Sequence, residues 1–103
     1  MSEFHEVGSA EETPPGTGKA VAIDGRAVAL FNIDGTYYAI EGTCLHRGGP
    51  VGEGDLEETT VTCPWHGWQY DVTTGRNLMD PDIGLTKHDV KVENGVVMVA
   101  LSD

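Results

Sequence analysis

Two short Cys/His pairs carry the chemistry of this sequence: Cys44-x-His46 and, sixteen residues further on, Cys63-x-x-His66. They use both cysteines and two of the four histidines of the chain. Thiolate and neutral imidazole are the side chains that bind soft and borderline transition metals. Each pair is followed by glycine, Gly48-Gly49 in one case and Gly67 in the other. The repeat reads as two loops side by side, each supplying one sulfur and one nitrogen. Glycine-rich backbone lets amide N–H groups come close to the sulfurs.

Three chemistries use this donor set. A Cys2His2 zinc site has the same ligands. Zinc fingers, however, pair Cys with Cys and His with His along the chain, with the histidines on a helix. A Cys44–Cys63 disulfide is the plainest reading, but it leaves the matched histidine offsets without a use. A cluster of two irons and two sulfides, with both cysteines on one iron and both histidines on the other, employs all four residues. The spacing favours the last, and colour separates it from zinc, which is colourless.

The elements that must position these loops are strands. Residues 19 to 42 hold three apolar-rich runs separated by Asp24-Gly25 and Asp34-Gly35, and Asn94-Gly95 divides residues 88 to 102 in the same way. Asp-Gly and Asn-Gly between strand-like runs are strong hairpin signals. Strands are expected at 19–23, 26–33 and 36–41, and as two arms within 88–102. A short edge strand is expected at 4–8 and a polar loop at 10–18. A strand or hairpin arm is expected over 55–62, turning near Glu57-Glu58-Thr59, then a short strand at 69–72 and a loop at 79–84. No window of ten or more residues has helical periodicity. The fold class is all-β, built of short antiparallel strands, with one domain over 1–103.

Bulk composition narrows the function. Seventeen acidic residues against six basic ones give a formal charge of −11. Such a surface repels nucleic acid and anionic membranes and steers the chain toward a basic protein partner. Glu53, Asp55, Glu57 and Glu58 concentrate that charge next to the second loop. No apolar run approaches the roughly 20 residues of a membrane helix. The opening MSEFHEVGSAEET is polar and acidic, unlike a secretory signal. The expectation is a cytoplasmic protein, and in a reducing compartment two cysteines serve metal or redox chemistry more often than a disulfide.

Cys44-Leu45-His46 with Cys63-Pro64-Trp65-His66-Gly67, extended by Gly48-Gly49-Pro50 and Trp68-Gln69-Tyr70-Asp71, resembles the paired motif of Rieske proteins. The likeness is to the small Rieske ferredoxins of bacterial ring-hydroxylating dioxygenase systems and spans nearly the whole chain. It implies a β-sandwich base and a small cluster-binding lobe, here about 43–70, formed by two loops. It also implies a 2Fe-2S cluster on Cys44, His46, Cys63 and His66, with the loop from Met79 to Asp82 covering it. Respiratory Rieske proteins add a disulfide between the two loops. The matching positions here are Gly49 and Trp65, so that bridge is absent.

The resemblance further implies a one-electron carrier that is not itself an enzyme. It would take electrons from a flavin-containing ferredoxin reductase and pass them to a terminal oxygenase, as a monomer. An oxygenase catalytic subunit needs a second iron on two histidines and a carboxylate, and only His5 and His88 remain for it. The electron-transfer small subunit of another reductase, such as a nitrite reductase, is the alternative role. Two ferric ions, two sulfides and two thiolates sum to zero, so a neutral site accepts an electron more readily than an all-cysteine one. In other branches a serine and a tyrosine donate to the cluster sulfurs. Trp68 replaces the serine and Tyr70 keeps the tyrosine, which places the potential toward the lower part of the roughly −150 to +300 mV Rieske range. Leu45, Pro64, Trp65 and Trp68 are expected to shield the metal from water. His5 and His88 are expected to be surface or packing residues.

Overall fold

The computed structural model describes residues 3–44, 48–65 and 67–102. Among these, the strands are β1 (Phe4–Ser9), β2 (Thr17–Ile23), β3 (Arg26–Ile33), β4 (Thr36–Glu41), β5 (Asp55–Glu57), β6 (Thr60–Thr62), β7 (Gln69–Asp71), β8 (Lys87–Glu93) and β9 (Val96–Ala100). Helical structure is confined to two single 3-10 turns, Ala10–Glu12 and Val51–Glu53. No helix in the described residues is long and apolar enough to cross a membrane. The strands form a six-stranded sheet ordered β1-β9-β8-β4-β3-β2 and a three-stranded sheet ordered β5-β6-β7, with antiparallel pairing throughout.

The hairpin turns follow from their sequences. Asp24, Asp34 and Asn94 have φ between 50° and 53°, and the glycine after each is also left-handed. Two consecutive residues at positive φ make the turn whose twist matches paired strands. The β5–β6 turn uses Glu58 at φ 55°, without a glycine. One boundary departs from expectation. Thr17 and Gly18, placed by composition in a polar loop, open β2 opposite Asn32 and Phe31. A Cβ at Gly18 would strike the Phe31 ring, so the glycine is there to let a buried aromatic lie against the backbone.

β3 is buried from Val28 to Asn32, on both faces. Val28 and Leu30 join Ala39, Val97 and Val99 in one core. Ala29 and Phe31 join Ile40 in a second, which also contains Cys44, Val51, Val61, Cys63, Tyr70 and Val72. The β3–β4 hairpin is therefore the wall shared by two apolar layers, and its near-continuous hydrophobic run is what two-sided burial requires. β4 meets β8 through only Ala39↔His88 and Ile40↔Lys87. Val97 and Val99 of β9 share a core with Val28 and Leu30 of β3.

His88 is a packing residue, as expected. It is buried, and its Nδ1 accepts the Ser102 N–H at 3.0 Å. The ring proton therefore sits on Nε2, which is buried without a partner. Burial, then the Arg26 guanidinium, push its pKa below the usual histidine value, against the smaller opposing pull of Glu41 and Asp89. The unfolded chain takes up a proton that the folded chain refuses. Stability from this site is complete above about pH 6.5 and is lost as pH falls below it. The denaturation midpoint is expected to drop between about pH 7.5 and pH 5.5. The drop should be smaller in His88→Gln; equal drops in both proteins would place the titration elsewhere.

Candidate metal centre

The two sulfurs are brought together at the end of the second core. Cys44 follows β4 and Cys63 follows β6, both buried and both free thiols. The loop after Cys44 is closed by its own backbone. Gly48 N–H donates to the Cys44 carbonyl and Cys44 N–H to the Gly49 carbonyl, each at 2.9 Å. The second loop is closed by Cys63 N–H donating to the Trp68 carbonyl at 2.8 Å. Both closures place the cysteine at the exit of a strand, so each thiol is held by sheet geometry. His46 and His66, with Leu45 and Arg47, lie outside the described residues.

Close approach between the loops depends on Gly49. A Cβ there would lie 2.8 Å from Cys63 Sγ and 2.9 Å from Trp65 Cβ, closer than such atoms pack. The contact also shows that Gly49 and Trp65 face each other. These are the positions where the resemblance puts an inter-loop disulfide in other branches. Here a glycine lies against an indole in its place.

The electrostatics fit a cation. Burial raises the Cys63 pKa first; the Trp65 backbone N–H pulls it down, and the adjoining Cys44 thiol raises it again. Two neighbouring thiols in an apolar setting resist ionisation together unless positive charge sits beside them. The Tyr70 hydroxyl lies 3.3 Å from Cys44 Sγ. Toward a thiolate only the phenol can donate, so this contact stabilises charge on sulfur. Tyr70 is fully buried and its backbone pairs with Val61 and Asn77. Trp68 is partly buried and packs against the same core. Pro64 and Trp65 are exposed, and Trp65 is half in solvent with its other side against Gly49. They sit in a turn just after Cys63.

The comparisons agree with this geometry. The family model described as Rieske (2Fe-2S) domain matches residues 3–89. The chain is 35% identical, over 88% of each protein, to the ferredoxin component of a naphthalene 1,2-dioxygenase system from Pseudomonas aeruginosa. It is 38% identical, over 84% of each, to the 3-phenylpropionate/cinnamic acid dioxygenase ferredoxin subunit of Escherichia coli K12. Among solved structures it resembles a chain from the complex of reduced oxygenase and oxidized ferredoxin in carbazole 1,9a-dioxygenase. That match has TM-score 0.86 and 32% identity, covering 94% of this chain and 92% of the other.

Gly49→Ala tests the close approach. The added methyl must displace Cys63 Sγ or the Trp65 side chain. Iron and acid-labile sulfide per chain are expected to fall by at least about half, because overpacking of this kind costs 1–3 kcal/mol at the site that holds the metal. Far-UV circular dichroism should keep its β signature. Full iron content in the variant would show that the loops tolerate separation.

Proposed function

The chain belongs to the Rieske (2Fe-2S) domain family and carries a two-iron, two-sulfide cluster; on that premise we propose that it is the ferredoxin that hands single electrons to a terminal oxygenase. Cys44 and Cys63 hold one iron, and His46 and His66 the other. The donor is a flavin-containing ferredoxin reductase. The chain acts as a monomer in the cytoplasm, as one domain over 1–103 whose residues 43–70 form the metal-binding lobe.

The observation that carries this reading is the match, over 88% of both proteins, to a curated ferredoxin component of a dioxygenase system. Two buried sulfurs with a phenol hydroxyl 3.3 Å from one of them suit a redox centre. When bound, the cluster supplies a couple between a neutral and a singly negative state. The protein's own part is to favour the added charge without moving. Tyr70 directs its proton at Cys44 Sγ, the Trp65 N–H lies close to Cys63, and burial excludes water from both sulfurs.

The first test is an electron paramagnetic resonance spectrum of the dithionite-reduced protein, followed by mixing with an oxidised terminal oxygenase. The expected result is a rhombic signal with the low average g value of a mixed Cys/His cluster, lost as the oxygenase is reduced. A silent spectrum with stoichiometric zinc would overturn the reading.

Tyr70→Phe tests the sulfur contact. A hydrogen bond to sulfur stabilises the reduced state more, so its loss lowers the midpoint potential. One net bond of about 0.5–1.5 kcal/mol corresponds to roughly 20–65 mV for a one-electron couple. Protein-film voltammetry reads this directly. The wild-type value is expected in the lower part of the roughly −150 to +300 mV range. An unchanged or raised midpoint in Tyr70→Phe would remove the phenol from the account.

A further inference from the structure

The loop from Asn77 to Gly84 is tied by its own hydrogen bonds. The Asn77 side-chain oxygen accepts the N–H of Met79 at 2.8 Å and of Asp80 at 3.0 Å. Ile83 N–H donates to the Asp80 carbonyl and Asn77 N–H to the Ile83 carbonyl, both at 3.1 Å. Arg76 Nη1 donates to the Pro81 carbonyl at 2.6 Å. The loop's shape is thus fixed before any encounter, which lowers the ordering cost of docking.

What this fixed loop displays is apolar. Met79 is 78% exposed, Leu78 49% and Ile83 37%, and Trp65 on the neighbouring loop is 50% exposed. Met79 and Ile83, with Trp68, wall a recess of about 180 Å³ whose lining also includes Asn77 and Asp80. Large apolar side chains held together in solvent mark an interaction site. The recess is smaller than the roughly 300 Å³ at which small-molecule sites begin, and it suits a single side chain.

A further observation says what kind of occupant fits. The surroundings are negative. Asp80 and Asp82 are exposed on the loop, and Leu78 also borders a shallow groove lined by Glu57 and Glu58. None of these four carboxylates joins an ion pair among the described residues.

We propose that this recess is the anchor point for the terminal oxygenase. It takes one apolar side chain of that partner, while basic residues around that side chain face Asp80 and Asp82. The proposal rests on the electron-delivery reading above and names where on this chain that partner holds.

The test uses the whole ferredoxin, reduced with dithionite. The probes are the terminal oxygenases of the naphthalene 1,2-dioxygenase, 3-phenylpropionate dioxygenase and carbazole 1,9a-dioxygenase systems. Stopped-flow absorbance gives the rate of oxygenase reduction against ferredoxin concentration. Ile83→Trp fills the recess. It is expected to raise the half-saturating concentration at least about tenfold on any oxygenase the wild type serves, since central anchor contacts dominate such interfaces. The limiting rate, midpoint potential and paramagnetic spectrum should stay unchanged. Val92→Ala, an exposed apolar site on β8, should behave as wild type. Ile83→Ser gives a second reading of the same loss should the tryptophan variant misfold.

An Ile83→Trp and Ile83→Ser pair that saturate like wild type would overturn the anchor and leave electron delivery standing. A shifted midpoint with unchanged saturation would also overturn it, by showing that Ile83 acts on the metal site. Wild-type self-association in sedimentation, abolished by both Ile83 variants, would assign the recess to a second copy of the chain. A wild type that keeps its paramagnetic signal but reduces none of the three oxygenases would overturn electron delivery, and the anchor with it.

Discussion

Burying two sulfurs side by side is the constraint on which the rest of this structure depends. In apolar surroundings Cys63 resists ionisation, and the adjoining Cys44 thiol increases that resistance. To serve as thiolate ligands they need positive charge beside them. Around it the chain has assembled what an electron-accepting centre requires: a glycine that lets the loops meet, a backbone N–H near one sulfur and a phenol hydroxyl at the other. None of these groups needs to move when the charge on sulfur changes. Their dipoles are set by folding, so little reorganisation accompanies the electron.

The β3–β4 hairpin makes that arrangement rigid. Alternate residues of β3 feed two different cores, one facing β9 and one facing the cysteines. A displacement of β3 would disturb both. The site is thus anchored to the larger sheet through Phe31 and Ile40, which share a core with Cys44 and Cys63. The acidic residues take no part in this packing. Glu53, Asp55, Glu57 and Glu58 are all exposed and serve the long-range field of the molecule.

The legibility of this fold in its sequence varied with the kind of physics involved. Hairpins were readable because Asp-Gly and Asn-Gly have few conformations open to them, and the three turns adopt the expected left-handed pairs. That the two cysteines share one site was readable because thiols are scarce and each stands in a matched Cys/His pair; Cys44 and Cys63 lie in one core. Gly18 was read as loop because composition does not show that an aromatic lies across it. Composition does not show that Trp65 keeps half its surface in solvent while its other side lies against Gly49. The role of Asn77 left no local signal. It arises from a bridge to Tyr70 and from a loop that folds back on it, and neither is encoded by neighbouring residues.

The meeting of Gly49 with Trp65 has a consequence for how this protein matures. Among the described residues the two loops meet at Gly49 against Trp65, and Cys44 and Cys63 are free thiols. Nothing irreversible records whether metal has been loaded. The bound metal itself then ties one loop to the other, so loading it and fastening the loops together are one event.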